Sequence, residues 1–228
     1  MANLGIESRR IYPTEFVKGD GVFMQKLVKG IDHFNRHVFS TKRDLFQSLA
    51  EGQQPSVLFI TCSDSRIDPC LLTQTDPGEL FVIRNAGNLI PPAPENSGEI
   101  ATIEYALCGL NIQDIVICGH SDCGAIKGLL DRPALVETMP RVTEWLKYAE
   151  PTLAATIESG AEEPGAQRLN ATIEKNVLTQ IDNLKTHSFV EERLARRELR
   201  IHGWVYKFET GDVLSYEPSS ETFVSLSK

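Results

Sequence analysis

The stretch Val57-Leu58-Phe59-Ile60-Thr61-Cys62-Ser63-Asp64-Ser65-Arg66 decides how this chain is read. Its first five residues are apolar or β-branched and do not alternate with polar ones. That is the pattern of a short strand buried on both faces. Gly52-Gln53-Gln54-Pro55 ends a helical pattern just before it. At Cys62 the apolar run stops, and a thiol, a carboxylate and a guanidinium follow at alternate positions.

Two further runs read the same way. Leu80-Phe81-Val82-Ile83 is a strand from which Arg84-Asn85-Ala86-Gly87-Asn88 turns away, and Ile115 to Cys118 is a strand ending at Gly119-His120. Glu99 to Leu110 reads as a helix between them, and Cys123-Gly124-Ala125-Ile126-Lys127 opens another. Strands alternating with helices predict an α/β fold: a central, mostly parallel β-sheet flanked by helices. Ligands of such sheets bind beyond the C-terminal ends of the strands. Cys62 and His120 both fall at such ends, on one edge of the sheet, although 58 positions separate them.

Outward from this centre, residues 1–20 read as an N-terminal arm. Phe23, Leu27, Ile31 and Phe34 then recur at helical spacing. Ser40-Thr41 is placed to cap a short helix carrying Leu45, Phe46 and Leu49. Beyond residue 137 the chain reads as mostly helical, with Ile173, Val177, Ile181 and Leu184 on one face. Phe189 to Leu199 continues as a charged helix whose Arg193, Arg196 and Arg197 read as a solvated or subunit-facing surface. Arg200 to Phe208 and Val213 to Tyr216 flank Glu209-Thr210-Gly211-Asp212 and predict a hairpin. No repeat or second domain is visible, so residues 1–228 are expected to form one domain with its arm.

The 228 residues can bury a substantial core, and 41% hydrophobic with 24% charged residues is ordinary for a globular protein. A net charge of -8 argues against a nucleic-acid partner, which requires a basic face. The apolar runs are far shorter than the ~20 residues that span a bilayer, so no membrane span is expected. Glu7, Arg9, Arg10, Glu15 and Asp20 leave no apolar segment for a signal peptide. A reducing, cytoplasmic location is expected, where cysteines more often bind metal or catalyse than form disulfides. Of the five cysteines, Cys108 and Cys118 read as small core residues, and Cys70 follows Pro69 near the motif.

Cys62, His120 and Cys123 offer a zinc ion three protein ligands. A closed structural site normally takes four, whereas a catalytic one keeps a position open. Asp64 and Arg66 are close enough to form a charge-assisted pair that keeps Asp64 ionised. Asp64 then either orients a zinc-bound hydroxide or moves onto zinc as a fourth ligand. The plainer reading is a structural zinc site closed permanently by Asp64, or no metal at all.

At these residues the sequence strongly resembles the β-class carbonic anhydrases, in their plant-like and cyanobacterial branch. The resemblance covers roughly residues 21 to 216. It rests on Cys62-Ser63-Asp64-Ser65-Arg66, Arg84-Asn85-Ala86-Gly87-Asn88, Glu104-Tyr105-Ala106, Gly119-His120-Ser121-Asp122-Cys123-Gly124 and Gly203-Trp204-Val205-Tyr206. It implies zinc-dependent, reversible hydration of carbon dioxide to bicarbonate and a proton by attack of zinc-bound hydroxide. Cys62, His120 and Cys123 would bind Zn2+, and Asp64 with Arg66 would orient the hydroxide and gate the site. Gln53 matches a glutamine that helps hold substrate. Phe81, Ala86 and Tyr105 match positions lining a narrow apolar pocket, and Gly124 one whose backbone adjoins the site. Taken alone, Phe81 and Tyr105 read equally as core aromatics, Gln53 as a turn residue, and Ala86 and Gly124 as fixed by backbone packing.

The resemblance also implies a homodimer or a dimer-based higher oligomer, with the pocket at the subunit interface. Carboxysome association becomes possible if the source is cyanobacterial, although the chain stops at Lys228 without a long extension. Two other functions stay open: hydrolysis of carbon disulfide or carbonyl sulfide on the same scaffold, and a non-catalytic assembly role. The intact ligand set and Asp-Arg pair speak against the second.

Overall fold

A computed structural model describes residues 22–158 and 165–226. The expected arm over residues 1–20 lies outside the described residues. The chain divides between Gln53 and Gln54 into two compact units.

In the first unit, helix α1 (Val22–His33) runs on through a π-helical turn over Phe34–Val38 and a last turn over Phe39–Thr41. Helix α2 (Arg43–Glu51) follows. The Phe46 ring stacks on Phe39 at 5.2 Å and meets the edge of Phe34 at 5.5 Å, which joins the two helical runs. Ser40 and Thr41 do not cap α2. Their hydroxyls donate backward, to the carbonyls of Arg36 at 3.1 Å and Val38 at 2.9 Å. Here the preceding helix continues through them and takes up their hydroxyls one turn back.

The second unit is built on a six-stranded sheet of order β2-β1-β3-β4-β5-β6. Its strands are β1 (Val57–Cys62), β2 (Leu80–Asn85), β3 (Asp114–His120), β4 (Arg200–Tyr206), β5 (Val213–Glu217) and β6 (Thr222–Ser225). The first four are parallel, and β5 and β6 add to one edge antiparallel. The expected hairpin is β4–β5. A further strand, β6, is short and mostly exposed, and carries no apolar run that would reveal it.

Strands β1 and β3 lie in the middle of the sheet, and Leu58, Ile60, Ile115 and Ile117 are buried. This is why both read as continuous apolar runs. Thr61 pairs with Cys118, so the strands end side by side, at Cys62 and at His120.

Between the strands run helices α3 (Pro69–Thr73), α4 (Gly98–Glu104), α5 (Gly124–Leu130), α6 (Arg132–Thr138), α7 (Pro140–Trp145), α8 (Glu150–Glu158), α9 (Ala166–Lys185) and α10 (Ser188–Ala195). Helix α9 lays Ile173, Val177 and Leu184 on the sheet, as its apolar spacing predicts. It sits close enough that a Cβ on Gly119 or on Gly203 would come within 2.9 Å of a Val177 methyl. Among the described residues, no helix is long and apolar enough to cross a membrane.

Two cysteine and arginine expectations are corrected. Cys118 is buried, but Cys108 is exposed. A π-helical turn over Tyr105–Gly109 extends α4 and moves Cys108 off the apolar face. Arg193 is buried, and its guanidinium donates to the Leu107 carbonyl and to Asn111 Oδ1. It therefore closes the exposed end of that turn instead of facing solvent.

Candidate metal centre

Strand β1 delivers Cys62 and β3 delivers His120. A turn through Ser121 and Asp122, the latter in the left-handed region at φ 58°, brings Cys123 round as the N-cap of α5. All three side chains are buried. Their ligand atoms lie within 4.8 Å of one another and could hold a metal ion. The two sulfurs are 4.0 Å apart.

His120 Nδ1 lies 2.9 Å from the Ser121 carbonyl oxygen. A carbonyl only accepts, so Nδ1 carries the proton and Nε2 carries the lone pair. Nε2 is buried and has no hydrogen-bond partner. An acceptor left unpaired in the interior costs about 1–3 kcal/mol. An ion bound by Nε2 and the two sulfurs would remove that cost, and imidazole with thiolates suits a soft or borderline transition ion. The Cys62 thiol is pushed down, first by the hydrogen bond with Cys123 and then by the Gly87 N–H, against the effect of burial. The neighbouring Cys62 sulfur and burial push Cys123 up. The sulfurs thus share a proton, which a cation binding both must displace.

Asp64 and Arg66 meet in a fork, Nε to Oδ1 at 2.9 Å and Nη2 to Oδ2 at 2.7 Å. The guanidinium holds the Asp64 carboxyl well below the usual carboxylate range. Oδ2 also lies 3.9 Å from His120 Nε2, at the rim of the three ligands. Arg66 is itself anchored by Asp122 and Phe208. Nη1 donates to Asp122 Oδ2 at 3.1 Å, and the guanidinium carbon lies 4.5 Å from the centre of the Phe208 ring. That ring is also 4.9 Å from the His120 ring. Lys127 pairs with the other Asp122 oxygen. From β2, Arg84 donates to the carbonyls of Cys62 at 3.1 Å and Asp64 at 2.6 Å, pinning the chain on both sides of Ser63.

The loop after β2 closes over the sulfurs. Gly87, at φ +86°, donates its N–H to Cys62 Sγ at 3.4 Å. The Asn85 side chain ties the loop by accepting from the Leu89 N–H at 2.7 Å and donating to its carbonyl at 2.8 Å. Helix α9 holds the same loop through Asn176 Nδ2 to the Gly87 carbonyl at 3.0 Å and Gln180 Oε1 from the Ile90 N–H at 2.7 Å.

Cys62, Asp64, Arg66, His120 and Cys123 are therefore brought together. The Phe81 and Tyr105 rings lie 6.0 Å apart, with Tyr105 52% exposed. Ala86 opens the loop that reaches Cys62. Gly124 begins α5 directly after Cys123, and a Cβ there would meet nothing within 4 Å, so packing does not demand glycine. Gln53 is exposed and belongs to the first unit. Sequence reading missed Arg84, Asp122, Phe208 and Asn176. Arg84 and Asp122 stand inside the quoted motifs, and their charge was the available signal. Phe208 and Asn176 carry none, because each meets the site only through folding.

Residues 57–213 match the family described as carbonic anhydrase. The chain belongs to this family. A carbonic anhydrase of Synechocystis is 47% identical over 203 residues, covering 89% of this chain and 74% of the relative. One of Pseudomonas aeruginosa is 44% identical over 208 residues, covering 90% and 93%. The solved structure of the β-carbonic anhydrase CcaA superposes with a TM-score of 0.86 at 47% identity, over 89% of this chain and 98% of that one. A structure from work on two tetrameric β-carbonic anhydrases of Sordaria macrospora gives 0.75 at 28% identity, over 84% and 95%. The match to the β-class is thus one of sequence and of fold, and carbonic anhydrases hydrate carbon dioxide.

Proposed function

We propose that this chain binds zinc through Cys62, His120 and Cys123 and catalyses the reversible hydration of carbon dioxide to bicarbonate and a proton. Family membership supports the reaction. The observation that carries the metal reading is the buried, unpartnered Nε2 of His120 beside two cysteine sulfurs 4.0 Å apart. Zinc accepts such a donor set and tolerates an open fourth position. When bound, the ion supplies Lewis acidity that makes hydroxide available from water near neutral pH.

Asp64, kept ionised by Arg66, accepts a hydrogen bond from the attacking oxygen and aims its lone pair at the carbon. A carbon–oxygen bond forms, one carbonyl π pair moves onto oxygen, and bicarbonate leaves while the proton passes to solvent. The same Asp64 oxygen is near enough to the ligands to close the site by turning towards them. Phe81 and Tyr105 offer apolar walls to a linear, uncharged substrate, and Ala86 and Gly124 leave it room. The two compact units act as one carbonic anhydrase domain, in a homodimer or a dimer-based oligomer. Its expected location is the cytoplasm, with carboxysome association following only from a cyanobacterial source.

Stopped-flow hydration of carbon dioxide by reduced, zinc-loaded protein, at neutral and mildly alkaline pH, tests this reading. Rapid turnover is expected, lost when zinc is stripped and recovered when it is restored. Zinc bound without hydration at either pH would overturn it.

A further inference from the structure

Trp145, the last residue of α7, donates its indole Nε1–H to the Ala86 carbonyl oxygen at 2.9 Å. The peptide group that owns this carbonyl also owns the Gly87 N–H, which donates to Cys62 Sγ at 3.4 Å. The two hydrogen bonds therefore sit at opposite ends of one planar unit. We infer that Trp145 is a positioning residue for Cys62, acting through the Ala86–Gly87 peptide. The inference rests on Cys62 being a metal ligand, as proposed above.

Three features favour it. Because the unit is planar, fixing the carbonyl oxygen fixes the direction of the N–H on its far side. An amide whose oxygen accepts a hydrogen bond is also a stronger donor at nitrogen, so the indole strengthens the contact to sulfur. Finally, the loop has little freedom to realign without Trp145. The next peptide is held by Asn176 at the Gly87 carbonyl, and a Cβ on Gly87 would come 3.2 Å from the Ala125 Cβ. Gly87 is thus clamped between two peptides, each anchored by a side chain from a different helix. An N–H aimed at a ligand sulfur draws off part of its negative charge and holds the sulfur in one orientation, as outer hydrogen bonds do at metal sites generally.

The indole N–H only donates, and the ring also packs edge-on against Tyr148 at 5.4 Å. Trp145→Phe removes the donor and keeps an aromatic ring in that place. The test uses the holoenzyme, with zinc competed away by a chromophoric chelator, and a cobalt(II)-substituted form in which the thiolate-to-cobalt charge-transfer band is recorded. The variant is expected to release zinc roughly ten-fold more readily and to shift the band. Trp145→His, which restores a ring N–H, is expected to recover part of both, and it carries the test if the phenylalanine variant does not fold. A variant with lowered thermal stability but unchanged zinc retention and an unmoved band would overturn the inference and leave the zinc reading intact. Absence of any thiolate-to-cobalt band in the wild-type protein would overturn both.

Discussion

Asp64 and Arg66 face each other through two parallel hydrogen bonds, with Asp64 Oδ2 also 3.9 Å from His120 Nε2. The carboxylate is therefore shared between a fixed cation and the rim of the metal centre. Because Arg66 is held separately by Asp122 and Phe208, Asp64 can change partners without freeing the guanidinium.

Asp64→Asn should keep the fold and the bound zinc and lose most of the rate, by roughly 100-fold or more. An amide keeps the shape but replaces one acceptor oxygen with a donor. Stopped-flow hydration beside a zinc determination checks this, and full activity would refute the orienting role.

Cys123→Ser should lose zinc and activity together. A hydroxyl is a poor ligand for zinc beside one thiolate and one imidazole. Elemental analysis of the dialysed protein reads the outcome, and an active, zinc-loaded variant would remove Cys123 from the ligand set.

Phe208→Ala removes the ring lying against both Arg66 and His120. A contact of this kind between arginine and an aromatic face is worth about 0.5–2 kcal/mol. The variant should unfold at a lower temperature and turn over more slowly, as Arg66 gains freedom. An unchanged rate at lowered stability would show that the ring only packs.

The start of β3 gives a pH-dependent contribution away from the metal centre. Asp114 accepts from Arg200 Nε at 2.7 Å and from His202 Nε2 at 3.0 Å, and its carboxyl is held below its ordinary value, chiefly by the Arg200 hydrogen bond. A carboxyl with a folded value below its unfolded one adds stability above the unfolded value, and that stability is lost as pH falls through the folded one. Asp114→Asn should therefore be less stable near pH 7, by about 1 kcal/mol given how far Arg200 is exposed. The deficit should shrink below about pH 4. Urea unfolding at both pH values measures it, and an equal deficit in acid would contradict the ion-pair account.

Much of the centre was legible because its chemistry follows directly on buried strands. Val57 to Thr61 and Ile115 to Cys118 are continuous apolar runs since both faces are covered, and the ligands are the next residues along. What was not legible depends on folding. The π-helical turn that exposes Cys108 leaves the apolar spacing of α4 looking regular. Ser40 and Thr41 have capping chemistry, but the helix before them did not stop. Arg193 looked like a surface charge because its acceptors, the Leu107 carbonyl and Asn111, are remote in sequence. The same distance hid Phe208, Asn176 and Trp145.

The seating of α9 has a consequence for how this enzyme can vary. Val177 presses on Gly119 and Gly203, while its neighbour Asn176 holds the loop above Cys62. One turn of helix thus reads core volume on one side and sets loop position on the other. A larger side chain beneath Val177 would lift the helix and carry the Gly87 peptide with it. Substitutions deep in the sheet, such as at Gly203, would then act as adjustments of the metal centre.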